Sequence, residues 1–194
     1  MGHFPHAARF GAALRSPPMR FRRTTWAVAL GVVAALASTF VVSTDAYAVF
    51  GEPQVIKNYA SGKCLQPESN SANALVVQRS CTFGASQQWR AMVVNGHYFW
   101  LRNQATGLCM DLQANSEEEV GNGTLVQVFF CSGAFTSEQW NRMGGSRPGY
   151  FQVLNLVKGL CLDVQNRSSS DNARLQVWTC KAFEDAQKFQ FIDA

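Results

Sequence analysis

Two apolar patterns divide the chain. Residues 26–42, WAVALGVVAALASTFVV, form one unbroken run behind Arg20, Arg22 and Arg23. From residue 49 onward the apolar residues come in short bursts instead. HYFWLRN (97–103), TLVQVFF (124–130) and RLQVWTC (174–180) are rich in aromatic and β-branched side chains, and Gly, Asn and Ser punctuate between them. Such bursts predict short strands broken by turns, with Trp100 read as a core strand residue. No segment of 49–194 keeps apolar residues at helical spacing for three turns. One burst carries an anomaly: in GLCLDVQ (159–165) the acid Asp163 stands between Leu162 and Val164. Side chains alternate across a strand, so one that packs Leu162 and Val164 turns Asp163 away from them.

The bursts recur with a fixed grammar. When the chain is aligned on Cys64, Cys109 and Cys161, an asparagine lies six residues before each (Asn58, Asn103, Asn155) and a glycine two before (Gly62, Gly107, Gly159). When it is aligned on Cys81, Cys131 and Cys180, Asn73, Gly123 and Asn172 stand eight residues earlier, types that tolerate positive φ in a tight turn. A large aromatic follows eight or nine residues later (Trp89, Trp140, Phe189), with Gln87, Glu138 or Gln187 two before it. The chain therefore holds three repeats, at about 54–95, 96–146 and 147–194. A unit this small cannot bury its own apolar face, so three must close on a shared axis.

The first 48 residues stand apart from the repeats. A basic stretch, an apolar core and the small-residue end Ala46-Tyr47-Ala48 read as an export signal, with Met19 an alternative start. An uncleaved anchor is the competing reading, since 17 residues just suffice to span a bilayer. Removal would leave a secreted, extracellular protein of residues 49–194 with no stable membrane association. The leader holds five of the 17 basic and one of the 13 acidic residues, leaving twelve of each in the remainder. A neutral domain has no field to attract a polyanion, which argues against nucleic acid as a partner. All six cysteines follow the leader, and their spacings of 17, 28, 22, 30 and 19 contain no C-x2-C zinc knuckle. An even count behind an export signal reads as disulfides, and the repeat favours one within each unit: Cys64–Cys81, Cys109–Cys131 and Cys161–Cys180. His97 alone remains of the histidines, which removes most histidine-based metal sites and triads; no cofactor or metal is expected.

Cys-Leu-Asp-Val, then Gln-Val-Trp-Thr-Cys, then Gln-x-aromatic resembles the ricin B-type lectin family over about residues 54–194, three times over. The resemblance implies an all-β fold, a β-trefoil of twelve short strands with three pseudo-symmetric repeats. It also implies carbohydrate as the partner, a galactose-type sugar or a polysaccharide. In that family a carboxylate after Cys-Leu accepts sugar hydroxyls, an aromatic two residues before the second cysteine stacks on the C–H face, and a glutamine lies two before the aromatic. An ionised carboxylate makes hydrogen bonds about twice as strong as neutral ones, and a flat ring adds contact area at small entropy cost.

The third repeat carries the full set, Asp163, Gln176 and Trp178, with Gln187 as a supporting residue. Ala186 stands where the family has an asparagine. The second repeat has Asp111, Gln127 and Phe129, but Ser137 and Glu138 replace the Asn-Gln pair, and a weaker or altered site is expected. The first repeat has Gln66, Val77 and Arg79 at those places, and no sugar binding is expected there. Trp89, Trp140 and Phe189 are expected in the core, and Glu117-Glu118-Glu119 on a solvated loop too poor in oxygen ligands for calcium. Asn122-Gly123-Thr124 and Asn166-Arg167-Ser168 match the N-glycosylation pattern.

Two other function classes compete with a non-enzymatic lectin. A glycosidase would need Asp111 and Asp163 about 5–9.5 Å apart, which equivalent places in different repeats do not favour; no G-x-S-x-G elbow is present either. A protein-binding trefoil, such as a secreted hydrolase inhibitor, would use loops such as 113–123, which carry no readable code.

Overall fold

The computed structural model describes residues 51–194; the export signal read at 1–48 lies outside the described residues. Twelve short strands follow, four to a repeat. The first repeat holds β1 (Pro53–Asn58), β2 (Cys64–Pro67), β3 (Val76–Arg79) and β4 (Gln88–Asn95). The second holds β5 (Tyr98–Asn103), β6 (Cys109–Leu112), β7 (Val126–Phe129) and β8 (Trp140–Gly144). The third holds β9 (Phe151–Asn155), β10 (Cys161–Val164), β11 (Ala173–Trp178) and β12 (Phe189–Asp193). The remaining regular structure is single 3-10 turns, three of which (Ala85–Gln87, Thr136–Glu138, Asp185–Gln187) lead into the last strand of a repeat.

The first and last strands of each repeat pair antiparallel in a closed cycle, β1–β4–β5–β8–β9–β12 and back to β1. Closure removes the sheet edges that an isolated repeat would expose. The middle strands form three hairpins, β2/β3, β6/β7 and β10/β11. This is the β-trefoil, with a six-stranded barrel and a triplet of hairpins. The three intra-repeat disulfides Cys64–Cys81, Cys109–Cys131 and Cys161–Cys180 all form. No helix among the described residues is long and apolar enough to cross a membrane.

The repeated residues found in the sequence have repeated physical duties. Trp89, Trp140 and Phe189 are at most 1% exposed, and each indole donates to the strand of its own hairpin: Trp89 Nε1 to Leu65 O and Trp140 Nε1 to Met110 O, both at 3.0 Å. Asn58, Asn103 and Asn155 are equally buried. Their Nδ2 groups donate to Ala186 O, Ser86 O and Ser137 O at 3.0, 2.8 and 2.7 Å, tying each repeat to the 3-10 turn of the repeat before it.

A second ring of bonds joins the hairpins. Asn73, Gly123 and Asn172 take positive φ (67°, 93° and 65°). Their N–H groups then donate to Val128 O, Val177 O and Gln78 O of the next repeat. Trp100 departs from expectation. It is half-buried rather than core, because its ring lies over Gly133, where any Cβ would collide with it.

Trp140 is fully buried and makes one buried hydrogen bond, so Trp140→Ala should lower unfolding free energy by about 3–5 kcal/mol. Guanidinium titration of the oxidised protein checks this, with a lower midpoint at unchanged slope as the expected result.

Candidate functional site

The hairpin of the third repeat resolves the Asp163 anomaly. Strand β10 pairs β11 in the register Cys161↔Trp178, Leu162↔Val177, Asp163↔Gln176 and Val164↔Leu175. Leu162, Val164, Leu175 and Val177 are all in the core cluster. Asp163, Gln176 and Trp178 therefore share the opposite face, and all three line a cavity of about 390 Å³. Asp163 lies deep, at 7% exposed, and Gln176 Nε2 donates to its Oδ1 at 2.9 Å. Trp178 is half-buried, with Gly123 of the preceding repeat beside its ring.

Gln187 sits behind this pair and is fully buried. Its Oε1 accepts from Lys181 N (2.8 Å), and its Nε2 donates to Thr179 O (3.1 Å). It also favours the ionised form of Asp163. Gln187 therefore orients the carboxylate from within. Arg167 and Glu184, which the sequence reading did not single out, also line the cavity and form an ion pair at 2.6 Å. Arg167 follows Asn166, and both non-glycine residues are held at positive φ (54° and 56°). Paired left-handed residues are costly and mark a closely determined turn.

Burial pushes the Asp163 carboxyl above the usual aspartate range, and this outweighs the hydrogen bonds from Gln176 and Gln187 that favour the carboxylate. Glu184 pushes it the same way, and Arg167 opposes. A raised folded pKa means that the protonated acid fits the fold better. That contribution is complete below the unfolded pKa and is lost as pH rises through the folded one. At neutral pH the carboxylate thus stands in the cavity at a cost to stability.

The second repeat has the same frame and different chemistry. Asp111 pairs Gln127 across β6/β7, and Gln127 Nε2 donates to Asp111 Oδ2 at 3.0 Å. Asp111, Gln127 and the half-buried Phe129 line a cavity of about 580 Å³, larger than that of the third repeat. Asn73 of the first repeat, the loop residues Glu117 and Glu119, and Phe135 contribute to its walls. Phe135 is 58% exposed. Sequence reasoning passed over it, although its place four residues after Cys131 in an otherwise polar loop was a usable signal.

Glu138 explains how this repeat differs. In the first repeat Gln87 Nε2 donates to Gln66 Oε1 at 2.9 Å, and in the third the equivalent Gln187 favours the Asp163 carboxylate. Glu138 has no amide to donate. Its carboxylate accepts instead from Ser132 N and Oγ and from Gly133 N. Asp111 Oδ1 is consequently buried without a partner.

At the matching place in the first repeat, Val77 is buried, Gln66 is held by Gln87, and Arg79 Nε donates to Asn172 Oδ1 at 2.8 Å. Of the two glycosylation motifs, Asn122 is the more engaged: its Oδ1 accepts from Thr179 N at 2.7 Å.

Comparison with known proteins agrees with the β-trefoil fold. The family of the ricin-type β-trefoil lectin domain matches residues 52–189. Comparison with curated proteins gave no match. Among solved structures, a designed threefold-symmetric protein, ThreeFoil, is 28% identical, with a TM-score of 0.68 over 73% of this chain and 99% of that one. The exo-β-1,3-galactanase 1,3Gal43A from Clostridium thermocellum superposes with a TM-score of 0.67 at 23% identity, over 74% of this chain; the match spans only 30% of the galactanase. A ricin B-like lectin from Macrolepiota procera, solved in complex with lactose, gives a TM-score of 0.62 at 14% identity, over 74% of this chain and 96% of the lectin.

The unsatisfied Asp111 oxygen yields a test. Glu138→Gln should supply the missing donor and raise stability by about 1–3 kcal/mol, the cost of a buried acceptor left unpaired. The measurement is the change in unfolding free energy at neutral pH, and unchanged or lower stability would contradict this account of position 138.

Proposed function

The chain belongs to the ricin-type β-trefoil lectin family, and we propose that it is a secreted, non-catalytic carbohydrate-binding protein whose principal site is the cavity of the third repeat. The observation that carries this reading is the convergence of Asp163, Gln176 and Trp178 on one cavity face while their strand neighbours pack in the core. Asp163 offers acceptor oxygens to adjacent sugar hydroxyls. Gln176 holds it in place, and the Trp178 ring supplies a flat apolar surface for the C–H face of the sugar. The Arg167–Glu184 pair adds donors and acceptors to the lining.

The ligand proposed is a galactose-type sugar, free or within a polysaccharide; the lactose complex of the Macrolepiota procera lectin makes lactose the first probe. The second-repeat cavity is proposed as a further sugar site, built from Asp111, Gln127 and Phe129. A single site of this kind should bind with a dissociation constant of roughly 0.1–1 mM. Engagement of several residues of one polymer would raise the avidity. Three disulfides fit an oxidising, extracellular setting.

Trp178→Ala should abolish or greatly reduce retention on immobilised lactose while the unfolding midpoint stays close to that of the parent. Retention should also fall as pH is lowered, because hydroxyl recognition uses the carboxylate. The fall should begin at a higher pH than an ordinary aspartate would give, since burial raises the Asp163 pKa. Frontal affinity chromatography across acid pH measures both effects. Undiminished retention by a folded Trp178→Ala protein would move the site elsewhere.

A further inference from the structure

The two cavities stand on the same frame, yet that of the second repeat is the larger, about 580 Å³ against 390 Å³. Two exchanged positions and a longer loop account for the difference. Four residues after the site aspartate, the third repeat has Arg167 and the second has Asn115. The residue that opens the last 3-10 turn is Glu184 in the third repeat and Phe135 in the second. In the third repeat these two positions join as an ion pair in the cavity lining, Arg167 to Glu184 at 2.6 Å, with the Glu184 side chain only 12% exposed. In the second repeat they do not join. Asn115 turns to its own loop, where its N and Nδ2 donate to Glu119 Oε2 at 3.0 and 3.3 Å, and the Phe135 side chain has no polar group to offer. The cavity therefore continues along the loop between β6 and β7, which covers 113–125 where the third repeat has only 165–172.

The added space is lined in the way a sugar requires. Phe129 and Phe135 both face the cavity as separate platforms. Phe129 is half-buried and packs edge-on to Phe130, with ring centroids 5.3 Å apart. Phe135 is 58% exposed and makes no ring pair among the described residues. A single exposed apolar side chain is ordinary on a protein surface, and Phe183, exposed and outside the third-repeat lining, is one. Phe135 differs because Asn115, Ser116, Thr136 and Ser137 line the same cavity with amide and hydroxyl groups. An apolar ring among such groups matches both surfaces of a pyranose, its C–H face and its hydroxyls. The wall is also held in place. Thr136 Oγ1 donates to Glu117, Val120 anchors the loop in the core, and Lys158 Nζ donates to Val120 O at 2.6 Å and Glu118 O at 3.1 Å. A fixed wall lowers the ordering cost of binding.

We infer that the second cavity takes two linked sugar residues, one on Phe129 and the next on Phe135, whereas the third takes one. Phe135 then sets the preference for chain length, and the ligand of the second repeat is an oligosaccharide or a stretch of polysaccharide rather than a lone monosaccharide. The Arg167–Glu184 pair ends the third cavity at the place where the second runs on. This inference rests on the lectin reading and deepens it, because two cavities of one chain would then select by ligand length.

The test uses the full chain carrying Trp178→Ala, which silences the third repeat. Galactose is titrated by calorimetry beside lactose and the β-1,3-, β-1,4- and β-1,6-linked galactobioses. At least one disaccharide should bind roughly three- to tenfold more tightly than galactose, as one further ring contact would give. Adding Phe135→Ala should erase that gain, with an unchanged unfolding midpoint as the check on folding. Absence of a gain for every disaccharide would overturn the inference, and so would a gain that survives the loss of Phe135. Loss of all binding in the Trp178→Ala protein would overturn it as well. In each case retention of the parent protein on lactose would leave the lectin reading standing. Failure of the parent to bind any of these sugars would overturn both.

Discussion

Each repeat is completed by its neighbours, and the site depends on that interlock. Buried Asn58, Asn103 and Asn155 tie each repeat to the one before it, with Asn58 reaching back to the last and closing the circle. The positive-φ turns at Asn73, Gly123 and Asn172 tie each hairpin to the next one. A cavity is therefore never the property of one repeat. Its floor is the hairpin of its own unit, and one wall is the turn of the preceding unit: Asn73 for the second cavity and Gly123 for the third. Because both ties are backbone-directed hydrogen bonds from buried or conformationally constrained residues, the cavity walls are fixed before any ligand arrives, which limits the ordering cost of binding.

Much of this was legible in the sequence because repetition multiplied weak signals. A single Asn-x3-Gly-x-Cys would mean little; three in register located the buried staple, the turn glycine and the disulfide together. The alternation Leu162-Asp163-Val164 was enough to place the carboxylate opposite the core, and β10 does so. Its depth was less legible. Alternation turns the acid away from the core without saying how far in it stands; Asp163 is 7% exposed and held by Gln176. Depth depends on how the loops stand around the hairpin, which spacing does not encode.

Other features were hidden for the same reason. The size of the second cavity comes from the longer loop through Glu117 and Glu119 and from Phe135, whose places follow from tertiary contacts, such as the bond between Thr136 Oγ1 and Glu117. Trp100 looked like a core residue because its strand neighbours Phe99 and Leu101 are core. Alternation along β5 instead sends it the other way, onto Gly133. The sequence marked the glutamate at 138 as a departure. Only the geometry ties that departure to the unpartnered oxygen of Asp111.

Position 138 also shows how a symmetric scaffold can hold asymmetric chemistry. The buried amide at Gln87 and Gln187 does two jobs: its oxygen caps the backbone after the second cysteine, and the amide favours the group after Cys-Leu, Gln66 through a bond from Gln87 Nε2 and the Asp163 carboxylate through Gln187. Glutamate preserves the first job, since Ser132 and Gly133 still donate to it, and abandons the second. The fold thus tolerates the change while the site loses a donor. The first repeat moved in the opposite direction: it kept the amide, replaced the acid with Gln66 and filled the neighbouring places with Val77 and Arg79. Scaffold and site separate along this line, because residues that bond backbone are bound by the shared geometry of all three repeats. Residues that face a cavity answer only to what enters it.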